Sequence, residues 1–147
     1  MSLTVKEFNE LTTVELYEIL KARSAVFILE QKMNCQDMDR TDYKSLHFFY
    51  QENQNNDVLA YMRAYYKDDS KDTVQIGRVL TLKHGNGLGR KLLEEGILAI
   101  KNEMNCKKIC LDSQIHAVGF YEKLGFKVTS DEFLEEGVVH VAMELEL

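Results

Sequence analysis

The sequence predicts an α/β chain built on one mixed β-sheet with helices on both faces. Two observations predict it. Short runs rich in Val, Ile, Phe and Tyr recur along the whole chain, and amphipathic segments of helical period interrupt them. One of those segments joins two strand-like runs through three closely spaced glycines, Gly85, Gly87 and Gly89, the pattern of a β-α-β unit with parallel strands. The other runs adjoin through short polar turns and read as antiparallel, which makes the sheet mixed. A chain of 147 residues, 45% hydrophobic and without proline or any linker, is long enough to bury one core as a single domain, residues 1–147.

The elements follow in order. "SLTVKEF" alternates and reads as a first strand. Thr12 or Thr13 can cap a helix with Glu15 in its first turn, and Leu16, Ile19, Leu20, Val26 and Phe27 then recur at helical spacing. "QKMNCQDMDRTDYK" is polar and reads as a loop. "SLHFFYQE" and "DVLAYMRAYY", parted by "NQNN", read as a hairpin, and "TVQIGRVLTL" as the next strand. After the glycines, Leu88, Leu92, Leu93, Ile97, Ile100 and Met104 lie on the inner side of a helix, with Arg90, Lys91, Glu94, Lys101 and Glu103 outside. "KKICLD" is a short strand. "HAVGFYEKLG" is a short helix stopped by Gly125, and "FKVTS" and "VVHVAMEL" close the chain as strands. The expected order is β-α-β-β-β-α-β-α-β-β.

The formal net charge of −6 repels phosphate backbones and argues against nucleic acid as the main partner. Three cysteines, Cys35, Cys106 and Cys110, form no disulfide framework; Cys106 and Cys110 read as small residues around a buried strand, not as metal ligands. No apolar run approaches the roughly 20 residues of a membrane span, and the start already carries Lys6 and Glu7. The expected location is therefore the cytoplasm, with no metal and no membrane partner.

A strand that ends in glycines and feeds a helix is an anion trap, because the first helical N–H groups have no intrahelical partner. Arg90 and Lys91 in the first turn oppose the helix dipole unless a polyanion sits nearby. The spacing excludes a P-loop, since Arg90 stands where its second glycine belongs, and excludes the dinucleotide motif, which needs glycine at 90 or 92. Arg23 and Glu30, seven apart, would share a helix face with Leu16, Ile19, Val26 and Phe27. Charges on an apolar stripe serve either a structural ion pair or a pocket.

The run His84-Gly85-Asn86-Gly87-Leu88-Gly89 resembles the pyrophosphate loop [RQ]-x-x-G-x-[GA] of the GNAT superfamily of N-acetyltransferases. It departs from that pattern at His84, where Arg or Gln is usual, and in a loop about two residues shorter. "GFYEKLGF" resembles the family's closing helix, with Gln114 seven residues before Tyr121. "LKARSAVFILEQ", Asp39, Asp42, His47 and "FLEEGVVHVAME" are similar to the ElaA-like branch, so the resemblance spans about residues 8 to 144.

That resemblance implies a sheet whose parallel fourth and fifth strands splay apart, and acetyl-CoA as cosubstrate. His84, Gly85, Asn86, Gly87, Leu88, Gly89 and Arg90 would hold the diphosphate, with Gln114 also on the cofactor. Amides within Val79 to Leu82, at Leu80 or Leu82 and flanking Thr81, would hold pantetheine and the developing oxyanion. Tyr121 would be the general acid that protonates the CoA sulfur. Glu30 and His47 are the candidate bases, with Asp112 and His116 behind them, and Arg23, Glu30, His47 and His140 the candidate acceptor pocket. The implied function is acetyl transfer to a primary amine of a small molecule or protein. The alternative is a fold relative that senses CoA without turnover. The family often forms dimers.

Overall fold

The computed structural model describes residues 1–147. Eight strands form one sheet in the order β1-β2-β3-β4-β5-β8-β6, with β7 also paired to β8. The strands are β1 (Thr4–Glu7), β2 (Leu46–Gln51), β3 (Val58–Tyr66), β4 (Thr73–Thr81), β5 (Lys108–Gln114), β6 (Lys127–Val128), β7 (Phe133–Glu135) and β8 (Val138–Glu146). The pair β4–β5 is parallel, as expected of strands joined through a helix, and the other pairs are antiparallel. No helix is long and apolar enough to cross a membrane.

Helices α1 (Thr13–Arg23), α2 (Leu88–Glu103) and α3 (Val118–Glu122) cover the sheet. Thr12 is the cap of α1. Its hydroxyl accepts from the Glu15 N–H at 3.0 Å while the Glu15 carboxylate accepts from the Thr12 N–H at 2.8 Å, a reciprocal capping box. On one face α2 and α3 bury Leu92, Leu93, Ile100 and Tyr121 against Phe48, Met62, Ile76 and Leu111. On the other, Ile19, Ala22, Val26 and Phe27 pack against Phe49, Tyr61 and Leu80. Burial of strand residues on both sides is why β2 and β3 read as nearly continuous apolar runs. Gly125 stops α3 as expected: with φ 101°, it lets the Phe126 N–H reach the Tyr121 carbonyl at 3.2 Å and its own N–H reach that of Glu122 at 3.0 Å.

Three expectations need correction. The helical run does not continue regularly after Arg23: Ser24–Glu30 is a wide π-helical turn, seen where the Gln31 N–H bonds the Val26 carbonyl at 2.9 Å. More residues per turn rotate Glu30 away from the face of Arg23, so Arg23 is fully buried and Glu30 is exposed. The polar stretch before β2 holds a 3-10 turn, Thr41–Lys44. The end of the chain gains a strand, because Glu136 and Gly137, at φ 51° and 77°, make a tight hairpin between β7 and β8.

Candidate active site

The site begins where two strands part. β4 and β5 pair only from Thr73 opposite Lys108 to Gln75 opposite Cys110. Beyond that, β4 carries a bulge. The register with β3 slips between Arg63 opposite Gly77 and Tyr61 opposite Leu80, and Arg78 takes a left-handed φ of 53°. The bulge flips side-chain parity, so Ile76 and Val79, three apart, both face the α2 core while Leu80 faces α1. It also bends β4 away from β5 and opens a split through the sheet.

Main-chain groups bordering that split differ from the sequence expectation. The Leu82 N–H donates to the Leu59 carbonyl of β3 at 2.9 Å, so it does not face the split. Antiparallel alternation gives Leu80 the same orientation and turns the amides of Val79 and Thr81 toward the opening. A sequence carries the alternation but not the bulge that sets its phase.

The loop after β4 is open backbone. Gly85 and Gly87 have φ of 81° and 76°, a region that favours glycine. Asn86 Oδ1 accepts from the Leu88 N–H at 3.1 Å and the Gly87 carbonyl accepts from the Lys91 N–H at 3.1 Å. The main-chain N–H groups of His84, Gly85, Asn86, Gly87, Gly89 and Arg90 donate to no protein acceptor. A Cβ on Gly89 would stand 3.4 Å from Thr81 Cγ2 and 3.9 Å from Phe120 Cζ, so glycine here lets the start of α2 press against β4 and α3. Around this loop His84 Nε2 meets Glu30 Oε1 at 3.1 Å, and Arg90 turns back along α2 to Glu94 at 2.6 Å. Gln114 Nε2 donates to Gln31 Oε1 at 3.1 Å. The end of the π turn thus touches the far ends of both β4 and β5.

A cleft of about 440 Å³ runs through the split. Tyr121 reaches it from the α2 side; Arg63, Gly77 and Asp112 line it from the α1 side, with Glu135 and His140 at one wall. The Tyr121 ring packs edge-on between Phe120 and Phe126 at centroid distances of 5.1 and 5.8 Å. Burial alone pushes its phenol up to about 12, with no hydrogen bond from the protein to the hydroxyl. The group stays protonated and free to donate. His140 Nδ1 meets the Val138 carbonyl at 2.8 Å, its Nε2 meets Glu135 at 3.5 Å, and its ring stacks on Phe133 at 6.2 Å. Burial raises Glu135 first and the Asp112 carboxylate raises it further, against the pull of His140.

A family model described as an acetyltransferase (GNAT) domain matches residues 25–147. The chain belongs to the GNAT acetyltransferase family. A UPF0039 protein of Schizosaccharomyces pombe is 39% identical over 145 residues, covering 97% of this chain and 95% of its own. Protein ElaA of Escherichia coli is 30% identical over 141 residues, covering 95% and 92%. The crystal structure of Escherichia coli ElaA superposes with a TM-score of 0.90 at 29% identity over 99% of both chains. An acyl-CoA N-acyltransferase from Pseudomonas aeruginosa does so with a TM-score of 0.88 at 29% identity, also over 99% of both chains.

Within this GNAT domain the predicted site residues divide. Tyr121, Gln114, His140, Asp112 and His116 line one cleft. Arg23 and His47 do not. Arg23 donates from Nε to Asp37 at 2.9 Å and from Nη1 to Asp42 at 2.7 Å, while Arg63 holds Asp39 at 2.7 Å and Asp42 at 3.0 Å, and Arg78 holds Asp37 at 2.7 Å. Three arginines and three aspartates thus alternate at the floor of the cleft, where Asp37, Asp39, Arg63 and Arg78 line it and Arg23 and Asp42 do not. Arg63 holds Asp39 far below the usual carboxylate range, despite some burial. Burial opposes ionisation of Asp42, but Arg23 and Arg63 outweigh it. His47 is wedged between the Tyr61 hydroxyl at 2.6 Å and the Asp42 carbonyl at 2.9 Å, and burial lowers its pKa, so it serves as a neutral structural bridge. Glu30 stands on the surface beside His84, outside the cleft. Cys110 is buried and its thiol raised by burial, which suits a packing residue.

Sequence reasoning did not single out Arg63, Gly77, Arg78, Asp37 or Glu135. The Glu-Gly turn in "LEEGVV" was the one available signal for the hairpin that carries Glu135 to the cleft. Arg63 and Gly77 sat inside runs read as plain strands.

Proposed function

We propose that this domain is an acetyl-CoA-dependent N-acetyltransferase that transfers the acetyl group directly to a primary amine. The observation that carries the reading is the shared position of two unusual features: the backbone amides of His84, Gly85, Asn86, Gly87, Gly89 and Arg90, which have no protein acceptors, and the unpartnered Tyr121 hydroxyl in the adjoining split. Gly89, pressed between Thr81 and Phe120, ties the two together. The loop residues fit a diphosphate: unbonded N–H groups converge at the start of a 16-residue helix, and positive-φ glycines keep side chains out of the way.

The cosubstrate supplies an activated thioester. The chain's own groups do the rest. The amides of Val79 and Thr81 border the split as fixed donors for an oxyanion, a role that needs no reorganisation at the moment of reaction. Tyr121 gives its phenolic proton to the departing sulfur. As the new N–C bond forms and the C–S bond breaks, the incoming ammonium surrenders two protons. One restores the phenol and the other passes through the cleft's carboxylates to solvent.

The test is release of free thiol from acetyl-CoA in the presence of a panel of primary amines. The reading expects release that depends on an amine. Tight CoA binding with no turnover on any amine would instead favour a CoA sensor.

A further inference from the structure

Strand registers set successive rungs of side chains side by side on the α1 face of the sheet, which together form one strip. Arg63 lies opposite Gly77, the β4–β5 register (Gln75 opposite Cys110) carries on to Asp112 across the split, and one rung farther along β5 Gln114 lies opposite His140. Beyond β8, Phe133 opposite His140 continues that second rung and Glu135 opposite Val138 adds a third, so the strip runs diagonally across the strands. Successive strands stand about 4.8 Å apart where they pair. The strip therefore spans roughly 10 Å or a little more from Arg63 to Asp112, on the scale of one small molecule.

Two members of this strip are unexplained by packing. The Arg63 side chain is 96% buried, both its Nη atoms are bonded to Asp39 and Asp42, yet its Nε–H has no partner. A buried orphan donor is rare and points to a ligand that is absent. Gly77 is a glycine inside a strand, which weakens the strand and often marks close approach of a ligand. The two are one feature: a Cβ at position 77 would meet Arg63 Nε at 3.8 Å and nothing else within 4 Å. Facing them are His140 and the carboxylates of Asp112 and Glu135; neither carboxylate pairs with an arginine or lysine, and the basic group that Glu135 meets is the His140 ring. The trio is not disposed to hold a metal ion.

We propose that this strip is the acceptor subsite, and that the acceptor is a small primary amine carrying a neutral oxygen, an amide carbonyl above all. The ammonium meets Asp112 and Glu135 beside His140, and the oxygen accepts the orphan N–H of Arg63 across Gly77. A carboxylate would not serve. The charge of Arg63 is already answered by Asp39 and Asp42, so an anionic oxygen would find no free cation and would face Asp112 and Glu135. A plain alkylamine would leave the Arg63 N–H unmatched, and a site built to hydrogen-bond its ligand discriminates strongly against analogues that lack the group. The identity of the subsite deepens the acetyl-transfer reading and rests on it for the chemistry.

The test uses the full chain with three probes of similar size: glycinamide, propylamine and glycine. Acetyl-CoA turnover should favour glycinamide over each of the others by about tenfold or more in kcat/KM, the scale of one buried charge-assisted hydrogen bond. Gly77→Ala, whose methyl makes only ordinary contact and so leaves the fold intact, should cut the glycinamide-to-propylamine ratio at least several-fold. Glu135→Gln should raise KM for glycinamide more than it lowers kcat. Equal turnover of propylamine and glycinamide, or a ratio that Gly77→Ala does not move, overturns the proposal while leaving acetyl transfer standing. If no amine is acetylated, binding is read by NMR without cofactor. Shifts at Gly77 and Asp112 with glycinamide but not propylamine then support the subsite and sink only the transfer reading; no such shifts sink the subsite too.

Discussion

Replacing Tyr121 by phenylalanine separates chemistry from packing. The ring lies in the α2 core against Phe120 and Phe126, and phenylalanine keeps all of that contact. The hydroxyl has no protein partner, so its removal breaks no hydrogen bond and should change stability by less than about 1 kcal/mol. For a chain of this length that is a Tm shift of no more than about 2–4 °C. General-acid catalysis is worth roughly 100-fold or more, or about 2.7 kcal/mol at the barrier. The assay pairs thiol release at saturating acetyl-CoA and amine with a thermal melt of the same sample. The expected result is a kcat lower by about two orders of magnitude, with a nearly unchanged melt and unchanged CoA affinity. A further sign follows from burial, which pushes the phenol up to about 12. A donor with a raised pKa keeps its proton as pH rises, so the wild-type rate should show no Tyr121-linked loss between about pH 8 and pH 10. A variant that keeps full kcat, or one whose lost activity merely tracks lost folding, would refute the assignment.

Gly87→Ala should weaken CoA binding several-fold and lower stability by about 1 kcal/mol, because φ 76° disfavours a side chain although nothing lies within 4 Å of it; calorimetric titration and urea unfolding check both. Arg23→Met should cost about 2–4 kcal/mol in urea unfolding, less than the full penalty of breaking a buried pair because Asp37 keeps Arg78 and Asp42 keeps Arg63. It should leave CoA affinity unchanged, as expected of a residue away from the cleft. Stability should also fall in acid: Asp39 and Asp42 titrate below the ordinary aspartate value of 3.8, so their contribution is complete above that pH and is lost as pH drops through their lower folded values. Denaturation followed by circular dichroism from pH 6 to pH 2 should show its loss only below about pH 4.

Local patterns made most of the fold legible. The apolar stripe of α2, the cap at Thr12, the hairpin of β2 and β3 and the stop at Gly125 are each written within a few residues, and each formed as read. The glycine loop was legible for the same reason. What stayed hidden depends on phase. The π turn after Arg23 adds residues per turn and turns Glu30 out of the site, and the bulge at Arg78 inverts which amides of β4 face the split. Neither leaves a mark that side-chain periodicity can detect. The ion lattice was partly visible, since a charge at Arg23 on an apolar stripe calls for a partner. Its partners come from a polar segment 14 and 19 residues away that looked like plain loop. Glu135 was hidden because a three-residue strand is too short to show alternation.

The central claim is that open main-chain amides at 84–90 grip the diphosphate of coenzyme A. Backbone amide NMR during titration with CoA, set beside pantetheine, which lacks the diphosphate, tests it most directly. The account predicts large saturable shifts at Gly85, Asn86, Gly87, Gly89 and Arg90 with CoA and little movement there with pantetheine. CoA that binds while those amides stay unmoved would contradict it.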